Sequence, residues 1–314
     1  GMAAISNTLF AQLSPGDRVV SIRDTYGGTN RIFAEFLPRF GVDVALCDTA
    51  DHAAIEAEIG RGCDVLYLES PTNPTLKVLD IARLAARAHE VGAAVVVDNT
   101  FATPINQRPL ELGADLVVHS ATKYLGGHSD AMGGVVVGDR DRVERIFHFR
   151  EINGASLDAH SAFLLTRGIK TLELRVARQN ENAQSVAEFL ADHPAVEQAF
   201  YPGLPDHPHH DVARRQMRGF GGVLAFSLNG GIDALRALLG RLRLAHRAAS
   251  LGSVATLIGP PAMTSHVELS EAERAELGIP ETLVRYAVGI ENGEDLIADL
   301  RGALAAVEGV AAHA

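Results

Sequence analysis

Lys123 follows the apolar run Leu116 to Ser120 and is one of only three lysines, with Lys77 and Lys170, among 28 basic residues. An amine at the end of a buried strand loses its proton to desolvation and can then attack a carbonyl carbon, as Schiff-base catalysis requires. A lone lysine after a strand is more often a solvated cap, so its neighbours must decide. Ser120 and Thr122 supply two hydroxyl donors just before it in sequence. Gly1 and Met2 open a helical pattern whose free N–H groups and dipole suit an anion, so a phosphate anchor beside a reactive amine is the natural combination.

Further polar groups follow other strand-like runs. Asp98 ends Ala94-Val95-Val96-Val97, a poorly hydrated place where a cationic partner such as a protonated pyridine nitrogen would be favoured. A turn or capping aspartate is the ordinary alternative, and a magnesium ligand the functional rival. The rival lacks its G-x-x-x-x-G-K-[ST] loop anywhere in the chain. Tyr26 stands in Tyr26-Gly27-Gly28-Thr29, where the glycines let the backbone come close and leave an aromatic face to stack on a flat ring. Arg285 lies in an alternating strand pattern beside Ala287 and Gly289, whose small size leaves room for a bidentate carboxylate, although a structural ion pair is the commoner role.

Two histidine- or glycine-rich stretches carry less. His207-Pro208-His209-His210-Asp211 has ligand-like composition without ligand spacing, so a solvated turn is expected rather than zinc. Gly126-Gly127-His128-Ser129-Asp130 has neither the order nor the strand-to-helix context of a dinucleotide fingerprint, which argues against a nicotinamide cofactor.

The elements that must position these groups alternate along the first two hundred residues. Strand candidates are Arg18 to Ile22, Val42 to Leu46, Val65 to Glu69, Ala94 to Asp98, Leu116 to Ser120 and Val135 to Val137. Met2, Ile5, Leu9, Phe10 and Leu13 have helical spacing, as do Ile81, Leu84, Ala85 and Ala88. This is the pattern of an α/β fold, a mostly parallel sheet covered by helices on both faces. In such sheets ligands bind beyond the carboxyl ends of the strands, where the candidate residues cluster. A long helix from about Thr171 to His193-Pro194 leads into Gly222 to Leu228 and Leu283 to Ile290 as strands, with Ile232 to Leu242 and Glu294 to Val307 as helices. Two domains are expected: an α/β domain over residues 1–174 and a smaller α+β domain over 175–314.

With 47% apolar residues the chain can bury a large core, and a net charge of −11 without a basic block disfavours nucleic acid or an anionic membrane as partner. No apolar run reaches membrane-spanning length and no signal peptide is visible, so a cytoplasmic protein acting on a small molecule is expected. Cys47 and Cys63 read as buried free thiols.

Taken together, seven segments resemble the trans-sulfuration (Cys/Met metabolism) family of fold type I, pyridoxal 5′-phosphate (PLP)-dependent enzymes, whose fold is of the aspartate aminotransferase type. They are Gly1-Met2-Ala3-Ala4, Tyr26-Gly27-Gly28-Thr29, Glu69-Ser70-Pro71-Thr72-Asn73-Pro74, Asp98-Asn99-Thr100, Ser120 to His128, Ser250-Leu251-Gly252 and Arg285 to Gly289. The resemblance implies that Lys123 carries the cofactor, Asp98 pairs with its pyridine nitrogen, and Tyr26 stacks on the ring. Gly1, Met2, Ser120 and Thr122 would hold its phosphate, with Asn73 near the phenolic oxygen, Ser250 and Arg285 on the substrate carboxylate, and Glu69 in support. Lys123 and Tyr26 are the catalytic candidates, and no metal site is implied.

The implied activity is C–S lysis by γ-elimination of methionine or cystathionine to 2-oxobutanoate, ammonia and a thiol. A γ-replacement enzyme, either a cystathionine γ-synthase or an O-acylhomoserine sulfhydrylase, is the near alternative. A non-catalytic binding protein on the same fold is the alternative of another class. Gly28 stands where methionine γ-lyases often have cysteine, and Ala255 where many cystathionine enzymes have glutamate, so the residues leave the substrate open. The family also implies a homo-oligomer, a dimer of dimers, whose neighbouring subunit reaches the site with a segment upstream of Gly1.

Overall fold

The structure is a computed structural model that describes residues 1–264 and 270–311. Its first sheet holds β1 (Arg18–Ile22), β2 (Asp43–Cys47), β3 (Val65–Glu69), β4 (Ala94–Asp98), β5 (Leu116–Ser120) and β6 (Gly134–Gly138), in the order β2-β1-β3-β4-β5-β6. The expected strands are therefore present to within a residue or so. Strands β3 and β4 are buried at every position, and their unbroken apolar runs match a sheet covered on both faces. One face packs Ile81, Leu84, Ala85 and Ala88 of the helix Ile81–Glu90 against Leu66, Leu68, Val95 and Val97. The other packs Ile5 and Leu9 of the helix Met2–Gln12 against Tyr67, Val96 and Val118. Aspartates start several helices by accepting an N–H of the first turn, as Asp51 does from Ala54 and Asp80 from Arg83.

Strands β1 to β5 run parallel, and β6 is antiparallel to β5. The connection from Ala121 to Gly133 carries turns instead of a crossover helix, so the chain can only fold back on the strand it has left. That connection contains Lys123.

The second sheet has the order β7-β8-β11-β10-β9, formed by β7 (Val196–Phe200), β8 (Val223–Leu228), β9 (His246–Arg247), β10 (Leu257–Gly259) and β11 (Val284–Ala287). Leu224, Phe226, Val284 and Tyr286 face the helices Gly231–Arg241 and Gly293–Ala311. Ala225 and Ala287 face the opposite way, into a cluster with Ala121, Tyr124 and Leu125 from beyond β5. The alternation of β11 thus turns Arg285 toward the first sheet. The 174/175 boundary falls within the first turn of the helix Leu172–Ala191, which packs on both clusters. Among the described residues, no helix is long and apolar enough to cross a membrane.

Candidate active site

A cavity of about 880 Å3 opens beyond the carboxyl ends of β3, β4 and β5, and its wall includes Gly1, Met2, Tyr26, Asn73, Asp98, Ser120, Thr122, Lys123 and Arg285. Nine residues singled out in the sequence are brought together from four strand ends, a helix N-terminus and the second sheet. Ser250 adjoins them: Lys123 Nζ donates to Ser250 Oγ at 3.1 Å, and Arg285 Nη2 donates to the Ser250 carbonyl at 3.1 Å. Arg285 Nη1 also donates to Asn73 Oδ1 at 3.0 Å. The amine and the guanidinium are therefore held on either side of one serine.

Burial and the nearby Arg285 charge depress the Lys123 amine below the ordinary lysine range. This favours the neutral, nucleophilic form. Burial also lowers Arg285, to about 10, which leaves it cationic at neutral pH and able to take a carboxylate.

Asp98 is 5% exposed, and burial raises its carboxyl despite two hydrogen bonds that favour the anion. Those bonds come from the Thr100 N–H at 2.9 Å and the Thr100 hydroxyl at 2.6 Å, both to Oδ1. The same hydroxyl accepts from the Ser120 N–H at 2.8 Å, so Thr100 ties the end of β4 to the end of β5. No role for Thr100 was read from the sequence, yet the Asp-x-Thr spacing is the sign of such a local turn. Tyr67 was also missed. Its hydroxyl is fully buried and faces Asp98 and Thr29. A tyrosine between Leu66 and Leu68 was the available signal.

At the other end of the cavity, Gly1 caps the helix Met2–Gln12 and lies against Ser120, where an added Cβ would fall 2.8 Å from Ser120 Oγ. Gly1 N donates to the Gly133 carbonyl at 2.7 Å. The Gly133 N–H donates to the Thr122 hydroxyl at 3.0 Å, which fixes that side chain at the rim. Helix-start amides and two hydroxyls make this end suited to an anion. Opposite, Tyr26 is 45% exposed, and its N–H donates to Glu69 Oε2 at 2.8 Å. A Cβ on Gly28 would meet Met2 Sδ at 2.7 Å and the Tyr26 ring at 3.0 Å, so a side chain there would have to push those two aside.

Asn73 owes its place to an unusual segment. The five amides from Lys77 to Ile81 each donate to a side chain: Thr72 Oγ1, His209 Nδ1, Ser70 Oγ, His52 Nε2 and Gln216 Oε1. Two of these acceptors are histidine ring nitrogens, which can accept only when unprotonated. This corrects the expectation of a solvated His207–Asp211 turn. His207 is buried, its Nδ1 accepts from the His209 N–H, and burial lowers it to about 4, because the loop docks on the segment after β3. Cys47 and Cys63 are free and buried.

Comparison with known proteins places this arrangement. The family described as Cys/Met metabolism PLP-dependent enzyme matches residues 1–305. The chain belongs to that family. It is 49% identical over 308 residues to an L-methionine gamma-lyase of Pseudomonas putida, covering 98% of this chain and 77% of that protein. It is 44% identical over 305 residues to a cystathionine gamma-lyase of Bacillus subtilis strain 168, covering 97% and 80%. A solved cystathionine gamma synthase from Xanthomonas oryzae pv. oryzae, in complex with cystathionine, superposes with a TM-score of 0.96 at 40% identity, covering 99% of this chain and 80% of that one. As a member of this family, the chain is a PLP-dependent enzyme of the fold type I class. Its cavity fits the group: anion-suited donors at one end, an aromatic face, a buried carboxylate and a desolvated amine between them.

Proposed function

We propose that the chain catalyses γ-elimination from methionine or cystathionine, releasing 2-oxobutanoate, ammonia and a thiol. The observation that carries this reading is the Lys123–Ser250–Arg285 chain of contacts, which sets a buried amine and a carboxylate-binding cation on opposite sides of one serine. The likeness to the P. putida methionine gamma-lyase supports it.

When bound, PLP supplies the electron-withdrawing ring that makes the α-proton of an amino acid removable. Lys123 would hold that group through its amine, and the same amine, when free, would take the substrate's α-proton. Asp98, held anionic by Thr100, is the partner for the ring nitrogen. Gly1, Met2, Ser120 and Thr122 would hold the phosphate, Tyr26 would cover the ring, and Asn73 would serve its phenolic oxygen. Arg285 and Ser250 orient the substrate carboxylate, and the Tyr26 hydroxyl serves the leaving sulfur as acid or base.

The second reading, γ-replacement, is favoured by the fit to the cystathionine gamma synthase structure. Incubation with methionine, cystathionine or an O-acylhomoserine, with and without an added thiol, separates the two. Release of 2-oxobutanoate from methionine without a thiol supports elimination. Consumption of the acylhomoserine only when a thiol is present supports replacement.

The cytoplasm is the compartment proposed. The protein works as a homo-oligomer in this reading, with two dimers pairing. Met132, Phe147 and Leu157 line the cavity as exposed apolar residues, and Ile152, on the helix Arg140–Asn153 that carries Phe147, is 91% exposed. A second copy of the chain covering that face would bury them and close the mouth.

A further inference from the structure

Glu69 and Asp98 are register partners on adjacent parallel strands. Strands so paired lie about 4.8 Å apart, so the two side chains leave the same face close together. Both residues are buried, at 4% and 5% exposed. Among the described residues no cation lies within ion-pair distance of Glu69. The nearest lysine pair on that side is already made, with Lys77 Nζ 2.7 Å from Asp24 of the loop after β1. Other titratable groups facing the pair are Asp24 of the loop after β1 and Tyr67 from β3.

Two buried carboxyls this close do not both ionise. Hydrogen bonding decides which keeps the charge. Asp98 Oδ1 receives both an N–H and an O–H from Thr100, and bonds of this kind favour an anion. Glu69 receives the Tyr26 N–H on Oε2 at 2.8 Å, with the Asn73 main-chain N–H a weaker donor, and no hydroxyl among the described residues donates to it.

We propose that Glu69 is a positioning residue: protonated beside the Asp98 carboxylate, it anchors the Tyr26 main chain and keeps the pair's single negative charge on Asp98. This rests on the reading of Asp98 and Tyr26 given above. It differs from a supporting role in making a commitment about one proton. An ionised Glu69 would place a second negative charge beside Asp98, whereas a neutral one leaves Asp98 as the sole anion at the base of the cavity.

Infrared spectroscopy at pH 7, on the protein with and without PLP, tests the proton directly. A carbonyl-stretch band of a buried protonated carboxyl is expected in the unsubstituted protein, and is expected to vanish in Glu69→Gln. Absence of the band from the unsubstituted protein would overturn the proposal. So would its survival in Glu69→Gln with loss in Asp98→Asn. This readout does not depend on which amino acid is the substrate, so its failure is distinguishable from failure of the lyase reading. For the anchoring role, Glu69→Ala is expected to lower kcat about 10- to 100-fold by releasing Tyr26, with KM changed less than about threefold. Glu69→Gln, which keeps an acceptor for the Tyr26 N–H and adds no charge, is expected to rescue most of that loss. Equal losses in the two variants would contradict the anchoring role.

Discussion

At the base of the cavity the charged and polar groups lie on or just beyond buried strands, and each is held by another group. Thr100 fixes Asp98, Ser250 receives Lys123, and Asn73 braces Arg285. At the mouth the pattern reverses. Tyr26 is half exposed, Met132 is 78% exposed, and Phe147 and Leu157 offer apolar surface to solvent. The sheet alone can aim and desolvate the groups at the base, because strand ends in a parallel sheet are rigid and buried. The mouth is unfinished by comparison, and the residues there are of the kind that a second chain covers. Base and mouth should therefore fail differently when altered.

The largest effects are expected at the base. Lys123→Ala should abolish covalent cofactor attachment and lower turnover by at least about 10³-fold, checked by absorbance and by steady-state rates. Asp98→Asn should retain bound cofactor while lowering kcat by about 10²-fold or more, because the ring nitrogen loses its anionic partner. Tyr26→Phe keeps the ring and removes the hydroxyl. It should leave cofactor absorbance intact and cost about 10²-fold in elimination, and a rate within twofold of the unsubstituted enzyme would remove Tyr26 as the acid or base.

An intermediate effect is expected in the wall behind the base. His207 is held neutral when folded, at about 4, below the ordinary histidine value of 6.5. Between those values the unfolded chain binds a proton that the folded one does not, so stability rises with pH across that window. The contribution is fully present above pH 6.5 and is lost as pH falls through about 4. Denaturant titrations from pH 7 down to pH 4 should show a fall of up to about 3 kcal/mol from this group, with a shallower slope in His207→Asn. His119, lowered to about 4 by burial in β5, should add a decline over the same window that His207→Asn leaves in place.

The smallest effect on the single chain is expected at the mouth. Ile152→Asp should change the stability of the folded chain by less than about 0.5 kcal/mol. Its effect should instead appear in the mass measured by light scattering, as a shift from oligomer toward monomer. An unchanged mass would mean that this face is not the contact.

The contrast between base and mouth also explains what the sequence made legible. Continuous apolar runs such as Ala94 to Asp98 revealed the strands, and the polar residue closing each run revealed the base. The direction of β6 was not legible, because it depends on the path of the Ala121–Gly133 connection. Strands β7, β9 and β10 escaped notice, since Val196–Phe200 is interrupted by Glu197 and Gln198 and the other two span only two and three residues. The contacts that fix the site join residues far apart in the chain: Lys123 with Ser250, Asn73 with Arg285, and Val78 with His209. No local pattern encodes such pairs. The histidine-rich turn misled for that reason, its composition suggesting solvent where the fold supplies a docking surface.

The account depends above all on the amine of Lys123. Reduction of the PLP-loaded protein with borohydride, followed by peptide mass analysis, should find the cofactor's mass on the peptide containing Lys123. A modified peptide containing Lys77 or Lys170 instead, or no modified peptide from a protein that has taken up PLP, would contradict it.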